Sequence, residues 1–121
     1  MERLFTVEEA RELLGEVKRV AAAVIDVRAQ LVERISALQR GDRSQLPEVK
    51  ALEARLSEEL EWFTRTGIQV KGHAPLLIDF PMMHDGRVVL LCWLENEPGL
   101  DWYHETDHGF AGRRRIEDLS G

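Results

Sequence analysis

The amino-acid sequence predicts an α+β fold in which a long antiparallel helical hairpin is followed by a small, mostly antiparallel β-sheet. Up to residue 66, apolar residues recur at alternating steps of three and four, which is the period of an amphipathic helix. After Gly67 the period shortens to that of strands, and an Asp-Gly pair separates two apolar runs. We expect a single domain over residues 1–121, with the hairpin at about 7–66 and the β-rich part at about 67–116.

Helix 1 is predicted from about residue 7 to residue 40. The segment "TVEE" is typical of a capping box, in which the Thr6 hydroxyl accepts from the Glu9 amide. Gly41 suits the end of this helix. Nine positions then follow the heptad spacing of a coiled coil, and eight of them are apolar: Ala10, Leu13, Val17, Val20, Val24, Val27, Leu31, Arg34 and Leu38.

Helix 2 is predicted from about residue 47, where Pro47 suits a first turn, to residue 66. The short connection between the helices favours an antiparallel hairpin. At 1.5 Å per residue, helix 1 spans roughly 50 Å and helix 2 only roughly 30 Å. The apolar stripe around residues 10–20 must therefore be covered by the sheet, which we expect to fold back on this part of helix 1, or by a second copy of the chain. We favour self-association, as a homodimer.

The β-rich part is predicted to contain a hairpin around Asp85 and Gly86. A two-residue type I′ turn there places His84 opposite Arg87 and Asp79 opposite Cys92. Strand 87–94 is apolar on both faces, as expected for a central strand. Pro81 lacks an N–H, so we expect the strand over 76–80 to end, bulge or lie at an edge there.

Composition excludes some classes of function. The chain has 22 acidic and 16 basic residues and a net charge of -6, which argues against binding to a nucleic-acid backbone. Cys92 is the only cysteine, so no internal disulfide can form, and we expect a reducing, cytoplasmic location. No apolar run approaches about 18 residues, so no membrane span is expected.

The segment "WYHETDHGFAGRRR" concentrates the residues with special chemistry. His104, Glu105 and His108 match the H-E-x-x-H zinc motif, which requires a helix. Gly109 and the residues before the motif disfavour a helix here. In an extended segment, His104 and Glu105 point to opposite sides.

Five motifs resemble a prokaryotic family known as Domain of Unknown Function 2203: "FTVEEA", "IDFP", "DGR", "LCW" and "WYHETDHGFAGR". The resemblance covers nearly the whole chain and implies no established activity. His108 departs from the pattern, which leads us to expect a small residue at that position. The residues that match the pattern are Asp79, Phe80, Pro81, Asp85, Gly86, Arg87, Cys92, Trp93, His104, Glu105, Asp107, Gly109, Phe110, Gly112 and Arg113.

Three interpretations of this segment stay open. His104, Glu105 and Asp107 are candidate ligands for a divalent metal ion such as zinc, manganese or iron. Arg113 and Asp79 are candidates for binding a small ligand, since an arginine fork beside Gly109 and Gly112 suits a carboxylate or phosphate. Alternatively, these side chains pair with one another and only stabilise the C-terminal turns.

Cys92 also has two interpretations. It is a possible nucleophile with His104 as its base. Its alternation with Val88, Leu90 and Leu94 instead favours a small, buried packing residue, and we prefer that interpretation.

These observations favour a non-catalytic, self-associating binding module with a metal or anion site near the C-terminus. Two alternatives remain. One is a small metal-dependent hydrolase that uses the same histidine and carboxylates. The other is a structural coiled-coil adaptor, which needs only the heptads.

Overall fold

A computed structural model describes residues 2–119 and confirms the predicted α+β class. The ends of the predicted domain, residues 1 and 120–121, lie outside the described residues. The two helices are α1 (Val7–Gln39) and α2 (Leu46–Thr66). The five strands are β1 (Gln69–His73), β2 (Leu76–His84), β3 (Arg87–Leu94), β4 (Trp102–Glu105) and β5 (Arg114–Arg115). No helix within 2–119 is long and apolar enough to cross a membrane.

The predicted signals define the ends of both helices. At the start of α1, the Thr6 hydroxyl accepts from the Glu9 amide at 3.0 Å, and the Glu9 carboxylate accepts from the Thr6 amide at 2.9 Å. Pro47 lies in the first turn of α2, and Gly67 caps its end. Both helices therefore begin and end within one residue of the positions expected from the sequence.

The apolar face of α1 packs against two different partners. Its last part, with Val27 and Leu31, contacts Val49 and Leu52 of α2. Its first part joins a larger core with Phe63 and the apolar side chains of the sheet, and this part comprises Ala10, Val17, Val20, Ala21 and Val24. The stripe around residues 10–20 is therefore covered within one copy of the chain, and the uncovered stripe no longer argues for a dimer.

The sheet is an antiparallel meander with the strand order β1-β2-β3-β4-β5. The β2–β3 hairpin has the predicted register, with Asp79 opposite Cys92 and His84 opposite Arg87. Asp85 and Gly86 have φ values of 51° and 77°, as a type I′ turn requires. β3 pairs with β2 on one side and with β4 on the other, so it is interior, as predicted.

Pro81 does not end its strand, because β2 continues through it to His84. The pairing with β1 reaches only to Asp79, so Pro81 lies at an edge on that side. Its carbonyl accepts from the Phe5 amide at 2.7 Å on the side away from β3. The nitrogen of Pro81, which carries no hydrogen, faces the same side as this carbonyl. The β2–β3 ladder therefore loses no hydrogen bond.

The two faces of the sheet have different roles. The core face carries Ile78, Phe80, Leu91, Trp93 and Tyr103, which pack with α1. The other face, called the outer face here, carries Asp79, Leu90, Cys92, Trp102 and His104, because directly paired residues and alternate residues share a side. Two polar side chains, Asp79 and His104, are buried on the outer face.

A half-buried ion pair joins the middle of α1 to the sheet. Arg28 donates from both terminal nitrogens to the two Glu95 carboxylate oxygens, at 2.8 and 2.9 Å. Glu95 also accepts from the Leu76 amide at 2.6 Å, and Arg28 donates to the His73 carbonyl at 2.7 Å. Arg28 holds the pKa of the Glu95 carboxyl below its usual value. This cluster fixes the start of β2 and the end of β3 against the helix.

We predict that Glu95→Gln lowers the free energy of unfolding by about 1–3 kcal/mol, because Arg28 loses its charged acceptor. The lowered pKa of Glu95 means that its stabilisation is present above the usual glutamate value of 4.5 and is lost as pH falls through the lowered value. The variant should therefore lose less stability than the wild type on acidification. Urea unfolding at neutral and acidic pH measures both effects.

Glu61→Gln is the matched control, because Glu61 forms an ion pair with Arg65, one helical turn away on an exposed surface. Equal losses of stability in Glu95→Gln and Glu61→Gln would contradict the role assigned to Glu95.

Candidate functional site

Three potential metal ligands converge on the outer face of the sheet. One carboxylate oxygen of Asp79, Sγ of Cys92 and one ring nitrogen of His104 all lie within 4.8 Å of one another. Asp79 and Cys92 have no exposed surface, and His104 is 4% exposed. The three residues come from three adjacent strands, so their proximity follows from strand order and register.

The register explains which residues meet. Asp79 and Cys92 are directly opposite across the β2–β3 ladder. His104 pairs with Leu90 on the other side of β3, two residues from Cys92 and on the same face. The imidazole therefore extends across β3, and its Nε2 lies 3.1 and 3.2 Å from the two carboxylate oxygens of Asp79.

Both ring nitrogens of His104 have acceptor partners. Nδ1 lies 2.8 Å from the carbonyl oxygen of Glu105, so Nδ1 carries a hydrogen and donates it. Nε2 faces the Asp79 carboxylate, so each ring nitrogen has an oxygen within hydrogen-bond distance. The imidazole is thereby held in one orientation.

A fourth strand supplies a cation that the sequence analysis missed. Nζ of Lys71 in β1 donates to Oδ2 of Asp79 at 2.9 Å. The β1–β2 register shifts between Val70 and Gly72, so Lys71 is the extra residue of a bulge. The alternation of residue types could have predicted strand β1. It could not have predicted the bulge, and therefore not the contact of Lys71 with Asp79.

Cys92 is a protonated thiol in this arrangement. Burial, reinforced by the negative charge of Asp79, raises the pKa of the Cys92 thiol to about 12. Both nitrogens of His104 are already engaged, so neither is free to take the thiol proton. The geometry therefore does not support the nucleophile interpretation and agrees with the expected buried position.

Two of the predicted metal ligands lie away from this cluster. Glu105 follows His104 in β4, so it points to the opposite face, where its Oε1 lies 2.8 Å from Nη2 of Arg87. Asp107 lies in the turn after β4 with its side chain 82% exposed, and its ionic neighbour is His108. The structure thus brings together His104 and Asp79 but not Glu105 or Asp107.

The H-E-x-x-H spacing also has no helix to support it. β4 ends at Glu105, and residues 106–108 form a turn. Gly109 has a φ of 68°, and a Cβ at Gly112 would lie only 2.6 Å from that of His108. These glycines therefore allow a tight turn to pack on itself, as their residue type suggested.

Arg113, the predicted anion ligand, is already paired. Its Nη2 donates to Oε1 of Glu97 at 2.7 Å and to the Cys92 carbonyl at 3.3 Å. The guanidinium also lies over the rings of Trp102 and Phe110, with its central carbon 5.0 and 4.6 Å from their centroids. Its partner is thus neither Asp107 nor Asp79, and its charge is balanced within the fold.

The chain was compared with models of known protein families, with curated proteins and with solved structures. The family described as "Uncharacterized conserved protein (DUF2203)" matches residues 3–116. The chain belongs to this family. Searches of curated proteins and of solved structures gave no match. Membership of DUF2203 confirms the resemblance seen in the sequence motifs, and the function must be argued from the cluster itself.

We predict that the single thiol of this DUF2203 protein reacts with a disulfide reagent far more slowly in the native state than in the unfolded chain. The physical reason is that Cys92 is buried and its pKa is raised to about 12, whereas the thiolate is the reactive form. The reaction can be followed across a urea titration, and its rate should rise with the unfolded fraction. A native rate equal to that of a free thiol would contradict the burial.

Proposed function

We propose that this protein is a non-catalytic binding module for a divalent metal ion, with Asp79, Cys92 and His104 as its ligands. The observation that carries the proposal is the convergence of three different donor atoms, within 4.8 Å of one another, in a buried position. The set differs from the metal ligands predicted from the sequence, because Asp79 and Cys92 take the place of Glu105 and Asp107.

The donor chemistry favours zinc over manganese. Zinc accepts thiolate, imidazole and carboxylate ligands together, whereas manganese prefers oxygen. Tetrahedral zinc with bonds of about 2.0–2.3 Å separates its ligand atoms by roughly 3.5 Å. Side chains within 4.8 Å of one another need to move inward by only about 1 Å to reach that separation.

The orientation of His104 also supports a ligand role. A metal-binding histidine commonly donates its second ring N–H to a carbonyl or carboxylate, which fixes the ring. Here Nδ1 donates to the Glu105 carbonyl and Nε2 faces Asp79. The nitrogen that would bind an ion is thus already directed at the other donors.

Burial of the cluster favours binding over hydrolysis. A hydrolase needs a fourth position on the metal that is open to water and substrate. Asp79, Cys92 and His104 are all at least nine-tenths buried on the outer face of the sheet. The hydrolase alternative would require the covering residues to move aside.

We predict that metal-free protein binds one zinc ion and that Cys92→Ser, His104→Gln and Asp79→Asn each weaken binding at least about tenfold. Each variant removes one donor from the set. Competition with a coloured zinc chelator measures the affinity, and cobalt substitution reports a thiolate ligand through its charge-transfer absorption. His108→Gln is the control, since His108 lies in the exposed turn outside the cluster.

The pH dependence of binding provides a second readout. Because the Cys92 pKa is raised to about 12, the thiol must lose a proton when it binds an ion at neutral pH. The affinity should therefore rise by up to about tenfold per pH unit from this group. Zinc binding that is absent, or unaffected by loss of Cys92, would contradict the proposed ligand set.

We also propose that the chain self-associates through the turn end of the helical hairpin. Val32 and Ile35 of α1 and Leu46 of α2 are exposed there, and Val32 is 63% exposed. Apolar side chains gathered at one end of a molecule favour contact with another apolar surface.

The expected result is a homodimer at micromolar concentration, which a Val32→Lys/Ile35→Lys double variant converts to a monomer. The introduced charges would have to be buried in the interface. Sedimentation velocity measures the state. Met83→Lys, at an exposed position near the β2–β3 turn, is the control and should stay dimeric. A monomeric wild type at this concentration would refute the proposal.

A further inference from the structure

Lys71 occupies a distinctive position next to the proposed metal site. Its Nζ donates to Oδ2 of Asp79 at 2.9 Å, while its side chain is 41% exposed and Asp79 is fully buried. The ammonium group thus lies between the buried cluster and solvent. Lys71 is not a potential ligand in its charged form, because an ammonium nitrogen has no free lone pair.

Lys71 compensates the buried negative charge of Asp79. Asp79 carries one negative charge into a buried position, and such a charge is costly unless it is paired. Lys71 provides a full positive charge in direct contact with the carboxylate.

A divalent ion would bind the same carboxylate that Lys71 contacts. The ion requires Cys92 as a thiolate, so Asp79 and Cys92 together then neutralise its two positive charges. The charge of Lys71 is left over, within a few ångströms of the ion and in contact with one of its ligands. Like charges at this separation repel at a partly solvated protein surface more strongly than they do in bulk water.

We infer that Lys71 acts as a built-in competitor of the metal ion and determines how tightly the site binds. The inference depends on the proposed function, because it concerns the same ligands. In the metal-free protein Lys71 stabilises Asp79, and in the metal-bound protein it weakens the site or swings out into solvent. The site would therefore bind its metal ion reversibly rather than hold it permanently as a structural ion.

A positioning role makes the opposite prediction. If Lys71 mainly holds Oδ2 so that Oδ1 is directed at the ion, its loss should weaken binding. The sign of the change in affinity therefore separates competition from positioning.

The experiment measures zinc affinity for the metal-free wild type and four variants, by competition with a chelator. Lys71→Met removes the charge and the donor, and Lys71→Gln removes the charge but keeps an N–H donor. Both should bind zinc at least about tenfold more tightly than the wild type. Lys71→Arg keeps the charge and should stay close to the wild type. Lys50→Met, at an exposed position on α2, should change nothing.

Thermal unfolding gives the second readout. Lys71→Met should have a lower Tm than the wild type without zinc, because Asp79 loses its counter-ion, and a larger rise in Tm on zinc addition. Wild-type or weaker zinc affinity in both Lys71→Met and Lys71→Gln would overturn the inference and leave the proposed function intact. Absence of zinc binding in the wild type and in both variants would overturn the proposed function, and this inference with it.

Discussion

The carboxylate of Asp79 lies fully buried on a β-sheet, and the polar interactions of the outer face depend on compensating its charge. An unpaired charge in such a position costs several kcal/mol, which is a large share of the stability of a small domain. Lys71 approaches it from β1 and His104 reaches it across β3 from β4. Four adjacent strands are therefore tied together by one side chain.

The same compensation explains why the cluster resembles a metal site. A buried carboxylate attracts any positive group, whether an ammonium, an imidazole with its proton, or a metal ion. Lys71 and His104 both lie within hydrogen-bond distance of Asp79, so the ion of the proposed site would have to exchange with them. Cys92 adds a sulfur atom to the oxygen of Asp79 and the nitrogen of His104, and in the proposed site its thiolate would favour zinc.

The long helix leaves the outer face of the sheet free for this chemistry. The first part of α1 packs on the core face and its last part packs on α2. The apolar side chains of the helices are therefore buried without using the outer face of the sheet. The other side is covered by short segments such as the one with Arg113, whose guanidinium lies over the rings of Trp102 and Phe110 and pairs with Glu97. A face covered by loops and turns tolerates buried polar groups, because their hydrogen bonds can be satisfied locally.

The sequence by itself determined the helices, the β2–β3 hairpin and the register that sets Asp79 opposite Cys92. These features depend on capping residues, on hydrophobic period and on an Asp-Gly turn, which act over a few neighbouring residues. Only the tertiary structure decided that His104 meets Asp79 while Glu105 and Asp107 do not, and that Lys71 and Cys92 complete the group. The physical reason is that these contacts join strands far apart in the chain. They depend on the strand order, on a bulge in β1 and on the face to which each side chain points, none of which local patterning specifies.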